Sequence, residues 1–219
     1  MRVNLQARAH NAELRRKRTR ERLIEAALAV IAEKGSDAAS IEDFVAAAGV
    51  SRGTFYNYFP AVEDLVAALN DQMGEDLGKR FAAVTQGVRD PALALALIVQ
   101  ESFRLAISDP ARAWVALRIE GGNVPRLAES IRQFDRVFKA AVEHGRFRSV
   151  NTDAARNLLF GAVRLSQAEL LAGRGHPSEI NDLVALVLAA YGLPHDEAQE
   201  ISRRSAETVR GQDHYAQVM

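Results

Sequence analysis

Two short apolar periodicities between residues 40 and 59 are separated only by Ala48-Gly49-Val50, a spacing that obliges one helix to turn sharply against the next. Ile41, Phe44, Val45 and Ala48 form the stripe of the first, and Ser40 with Asp43 gives the S-x-x-D capping arrangement at its start. Gly49 can take the left-handed backbone conformation that so tight a reversal needs. Val50 fills the angle between the helices. Ser51 is placed to cap a further helix running to about Phe59, and Pro60 is expected to open the next one at its first turn. Upstream, Leu23, Ile24, Ala27, Leu28 and Ile31 recur at helical spacing, with Gly35 as the C-terminal cap. Three short helices within residues 19–59 describe a helix-turn-helix. A helix of these dimensions fits the DNA major groove, its first residues nearest the bases.

The remainder also reads as helix, at about 61–83, 91–108, 110–119, 125–144, 153–173, 178–192 and 195–210. Asp90–Pro91, Asp109–Pro110, Gly121–Gly122, Gly145, Gly173–Gly175 and Gly192–Pro194 supply the breaks. No β-alternation and no internal repeat occurs. The fold class expected is all-α.

Charge sharpens the DNA reading. The chain of 219 residues has a formal net charge of zero, yet residues 1–22 hold Arg2, Arg8, Arg15, Arg16, Lys17, Arg18, Arg20 and Arg22 against Glu13 and Glu21. This local balance of +6 leaves −6 for the rest, the asymmetry of a chain whose one end meets a polyanion. Other classes fall away. The apolar runs Ala92–Val99 and Leu183–Tyr191 are well short of the ~18 residues of a membrane span, and no signal peptide is legible. The absence of cysteine excludes disulfides and Cys-ligated zinc and fits a reducing cytoplasm. None of His10, His144, His176, His195 and His214 has Glu three residues before it, as a helical di-iron site requires, and no phosphate loop or nucleophile motif appears. No enzyme, cofactor or metal site is expected.

The stretch from Ser40 to Pro60, followed by Glu63-Asp64-Leu65 and preceded by Leu23 to Gly35, resembles the signature of TetR-family transcriptional regulators over about residues 18–69. The resemblance implies a basic N-terminal arm (1–18), a helix-turn-helix DNA-binding domain (19–60) and a helical ligand-binding and dimerisation domain (61–219). It implies DNA contacts from Ser40, Ser51, Arg52, Gly53, Thr54, Tyr56, Asn57 and Tyr58. Arg52 and Asn57 are the candidates for reading bases, while the tyrosines and hydroxyl residues would hold phosphates. Phe55 and Phe59, four residues apart, would face the small core. Two departures stand out. Val62 occupies a position where the family commonly has a phosphate-gripping Lys, a contact for which the basic arm would compensate, and Asn57 replaces a commoner aromatic or His.

The family pairs two late helices with their symmetry mates, and helices 153–173 and 178–192 match these by order and character; the alternative is that both are internal core. Helices 91–108, 110–119 and 125–144 supply Phe103, Arg104, Trp114, Arg118, Phe134 and Phe138 as candidates for a small-molecule pocket, although each aromatic taken singly reads more readily as core than as pocket. The expectation is a cytoplasmic, nucleoid-associated bacterial homodimer on a pseudo-palindromic double-stranded operator, acting as a repressor released by a small, largely hydrophobic ligand. The competing reading is a ligand-independent or architectural DNA-binding protein with a filled helical core.

Overall fold

The computed structural model describes residues 5–119 and 127–216, and every regular element in them is a helix. The expected Gly121–Gly122 break lies outside the described residues. Ten helices are described: α1 (Leu5–Lys34), α2 (Ile41–Ala48), α3 (Arg52–Tyr56), α4 (Val62–Val84), α5 (Pro91–Ser108), α6 (Pro110–Ile119), α7 (Leu127–Glu143), α8 (Thr152–Leu171), α9 (Glu179–Ala190) and α10 (His195–Ala216).

Local chemistry sets most boundaries. Ser40 Oγ accepts from the Asp43 N–H at 3.3 Å while Asp43 Oδ2 accepts from the Ser40 N–H at 3.0 Å, closing the capping box of α2. Gly49 ends α2 at φ 61°, ψ 44°, the left-handed conformation anticipated from its position. Asp109 ends α5, and its carboxylate accepts the Arg112 N–H at 3.0 Å, so one residue serves the junction of α5 and α6.

Three boundaries differ from the sequence reading. Helix α1 does not begin near residue 19 but runs unbroken from Leu5, so the basic arm is a helical extension rather than a separate segment. Helix α3 stops at Tyr56, not Phe59. Pro60 disfavours helical geometry at Phe59, and the chain leaves the helix through a turn in which the Phe59 N–H still reaches Phe55 O at 3.0 Å. Pro60 itself lies outside α4: the Asp64 carboxylate accepts the Ala61 N–H at 3.0 Å and fixes Ala61 as the cap.

Two cores result. The smaller joins Leu23, Ala27 and Ile31 of α1, Phe44 of α2, Phe55 and Phe59, Leu65 and Leu69 of α4, and Val115 of α6. The larger is built from α5, α7, α8, α9 and α10 around Phe103, Phe134, Phe138, Leu188 and Tyr191. The small domain is therefore not closed at residue 60: α4 and α6 belong to both halves. Helix α5 is by length and composition apolar enough to cross a membrane, but 67% of it is buried inside the protein, and it is the central core helix.

The apolar faces of α9 are largely covered within the chain. Ile180, Val184, Val187 and Leu188 pack in the larger core, which Ala198, Ile201 and Val209 of α10 complete, and Ser202 Oγ donates to Asn181 O at 2.7 Å. The leucines left exposed on these two late helices are Leu186 of α9 (66% exposed) and Leu158 and Leu165 of α8.

Candidate nucleic-acid interface and ligand cavity

Helix α3 is only five residues long, and its presentation depends on what lies behind it. Phe55 is completely buried and Phe59 nearly so, their ring centroids 6.1 Å apart, so this side is anchored to the small core. Ser51, Arg52, Gly53, Tyr56 and Asn57 are then exposed on one surface, with Thr54 and Tyr58 half-buried. Ser51 Oγ accepts from the Thr54 N–H at 3.1 Å and lies 2.9 Å from Thr54 Oγ1. A Cβ on Gly53 would meet nothing closer than Ser51 Oγ at 3.9 Å. The protein itself would tolerate a side chain there, so the space that glycine leaves is on the outer surface.

Seven of the eight predicted DNA residues thus lie on or beside α3, while Ser40 stands at the start of α2, with qualifications the sequence did not announce. Ser40 Oγ donates its hydrogen to Asp43 Oδ2 at 2.8 Å and is spent on capping α2. Arg52 is held by Glu42 of α2 at 2.7 Å and lies over the Tyr56 ring with its guanidinium carbon 5.9 Å from the centroid. Both members of that ion pair are more than 60% exposed, so water competes freely for it and Arg52 can leave Glu42 for another partner. Asn57 is the C-cap of α3, and Tyr58 packs against the small core.

Two supporting residues escaped the sequence reading. Arg22, counted among the basic arm, donates to Ala48 O and to Gly49 O, clamping the helix-turn-helix bend onto α1. Lys34 meets Asp43 Oδ1 at 2.6 Å; this pair and the Ser40 N–H and hydroxyl hold the Asp43 carboxyl below its ordinary 3.8, at about 2. Neither residue carries a local motif, since their partners lie 26 and 9 positions away.

A cavity of about 980 Å³ lies between α4, α5, α6, α7 and α8. Leu77, Phe81, Leu95, Ile98 and Phe160 give it apolar walls, and Ser102, Gln167, Arg112 and Arg164 contribute polar atoms. Of the six predicted pocket residues only Phe134 lines it. Phe103 and Phe138 are buried in the larger core, Phe138 edge-on to Tyr191 at 5.2 Å. Arg104 pairs with Glu101 at 2.6 Å. Trp114 and Arg118 stack on each other at 5.5 Å, and Arg118 Nη1 donates to Ala32 O of α1 at 3.3 Å, so they face the small domain. The reason is helical phase: Ala113, Ala116 and Leu117 turn to the cavity, while Val115 enters the small core.

Residues 23–69 match the sequence family described as bacterial regulatory proteins, tetR family, and residues 90–204 match a tetracyclin repressor-like C-terminal domain. The chain is 35% identical over 83 residues to the uncharacterized HTH-type transcriptional regulator YvdT of Bacillus subtilis, covering 38% of this chain and 43% of that protein, so it spans less than half of that relative. It is 26% identical over 153 residues to the fatty acid metabolism regulator protein of the same organism, covering 64% of this chain and 77% of that one. The crystal structure of RolR without ligand superposes with a TM-score of 0.67 at 26% identity, over 84% of this chain and 96% of RolR. RolR in complex with resorcinol superposes with a TM-score of 0.61 at 28% identity, over 88% and 96%.

Proposed function

This chain belongs to the TetR family of DNA-binding transcriptional regulators, and we propose that it is a repressor released from its operator by a small, largely hydrophobic molecule held between α4 and α8. One observation carries the reading: both helices that enter the small DNA-binding domain also wall the cavity. Helix α4 contributes Leu65 and Leu69 to the small core and Leu77 and Phe81 to the cavity, and α6 contributes Val115 to the one and Ala113, Ala116 and Leu117 to the other. A ligand that displaces either helix therefore displaces the platform of α3. Holoproteins of this fold bind quite different molecules, among them resorcinol in RolR. A volume near the top of the ordinary ligand-site range supports a ligand larger than one aromatic ring.

The operator would be read by two copies. Leu158, Leu165 and Leu186 are the exposed apolar side chains through which α8 and α9 would pair with a second chain, setting two α3 helices one helical turn of DNA apart, about 34 Å. To swing the protein from ~99% to ~1% binding-competent, the ligand must prefer the released state ~10⁴-fold.

The test is operator selection from random DNA followed by titration with apolar and aromatic compounds. Arg52→Ala should cost ~1–3 kcal/mol at the selected sequence and much less on random DNA. Loss by the same factor on both would reduce Arg52 to a phosphate contact. Failure of every compound that fills the cavity to release DNA would leave a regulator without this switch.

A further inference from the structure

The first half of α1 is a helix with no packing reason to exist. Residues 8–18 are all exposed, Leu14 is their one large apolar side chain, and a free helix of this length is marginal in water. Its first turn has no acidic residue, and Arg8 stands there against the positive end of the helix dipole. The charges are nevertheless ordered. At 3.6 residues per turn Arg8, Arg15, Arg18 and Arg22 fall within an arc of about 80°. Glu13 and Glu21 lie off that stripe, where Glu21 meets Lys17 at 3.9 Å. Among the described residues no carboxylate pairs with Arg8, Arg15 or Arg18.

The stripe is also aimed. Its last member, Arg22, is bonded to Ala48 O and Gly49 O at the bend before α3, and the Arg20 guanidinium lies 5.4 Å from the Phe59 ring just beyond α3. The extension thus leaves the small domain beside both ends of the recognition helix. From Arg8 to Arg22 it spans about 21 Å, the length of about six base pairs.

We propose that the N-terminal half of α1 is a second DNA-binding element, which lays Arg8, Arg15 and Arg18 along the phosphate backbone flanking each half-site and carries no sequence discrimination. The inference rests on the DNA-binding reading above. Phosphate neutralises the arginines, reverses the unfavourable dipole term at the helix start, and supplies the partner that burial does not.

The test uses the full-length chain, the triple variant Arg8→Ala/Arg15→Ala/Arg18→Ala and Lys17→Ala off the stripe, each titrated with a selected operator carrying ten flanking base pairs and with random DNA. All four side chains are exposed, so thermal melting should be unchanged. Three lost phosphate contacts in each of the two protomers, six in the complex, lower the slope of log K against log salt by about 5.4, so between 50 and 200 mM salt the full-length chain loses on the order of 2000-fold more affinity than the triple variant. The operator-to-random ratio stays constant, and flanking backbone protection disappears from the footprint. Lys17→Ala should leave the slope nearly unchanged. Specific binding with equal slopes in the full-length chain and the triple variant would overturn the inference alone. A full-length chain that prefers no sequence would overturn the DNA-binding reading, and this inference with it.

Discussion

Arg112 of α6 donates to Asp76 of α4 at 2.7 Å, and this ion pair ties together the two helices that wall the cavity and enter the small domain. Each partner is about one-third exposed, so the pair contributes no more than about 1 kcal/mol to folding. Its value lies in coupling. Arg112→Ala should leave thermal stability nearly unchanged but raise the ligand concentration needed for half-release of operator by about 2- to 30-fold, the usual range for a residue between two linked sites. Trp114 gives a second readout: it stacks on Arg118 against the small domain, so its emission should follow movement of α6 rather than contact with ligand. Release curves of variant and parent that superpose would remove the pair from the switch.

Acid should loosen α2 at its start. Lys34 chiefly, then the Ser40 N–H and hydroxyl, lower the Asp43 carboxyl from 3.8 to about 2. A carboxyl depressed in the folded chain stabilises it fully above the unfolded value and loses that contribution as pH falls through the folded one. The window is therefore from about pH 4 down to about pH 2. Hydrogen exchange at the Asp43 amide, bonded to Ser40 Oγ, should accelerate across that window relative to other α2 amides. Lys34→Ala should move the Asp43 titration back towards its ordinary value. If the titration does not move, Lys34 is not the principal cause.

How much of this was legible in advance follows from the range of the interactions involved. The caps at Ser40 and Ser51 and the turn at Gly49 bond within a few residues of themselves, and the sequence displays them directly, whereas Asp90–Pro91 and Asp109–Pro110 read only as breaks and their carboxylates cap the helices that follow. The cavity is different. Trp114 and Arg118 look like pocket residues on composition, yet Val115 between them is completely buried in the small core and sets the rotation of α6. Nothing in the spacing of a ten-residue helix says which of two cores each face will meet. The length of α1 was hidden for another reason: its first half has no apolar periodicity, the primary signal by which a helix announces itself.

Pairing through α8 and α9 makes a sharper prediction now than the sequence allowed. Leu186 is 66% exposed while its neighbours Val187 and Leu188 are buried, so Leu186→Glu does not disturb the protomer's core. The variant should be a folded monomer of native helicity, with operator affinity lost because one recognition helix reaches one half-site. Ultracentrifugation with circular dichroism decides it. A folded dimer would remove Leu186 from the interface.

The last prediction concerns the middle of α4. Asn70 is completely buried, and among the described residues neither its Nδ2 nor its Oδ1 has a hydrogen-bond partner. It lies beside Leu69 and Met73, which pack in the small core, a few residues before Leu77 and Phe81 reach the cavity. A buried amide left unpaired costs about 1–3 kcal/mol, so an apolar side chain of the same branching should relieve it. Asn70→Leu is therefore expected to raise stability by about 1–3 kcal/mol, or a few degrees in melting temperature for a chain of this size. Overpacking works against the gain, because leucine is the larger residue. Asn70→Ala, which removes the amide without adding volume, separates the two effects. If the amide is unpaired in the folded chain, the alanine variant loses less stability than a leucine-to-alanine change at neighbouring Leu69, which costs about 2–5 kcal/mol. Equal losses at both positions would mean that Asn70 finds partners in solution.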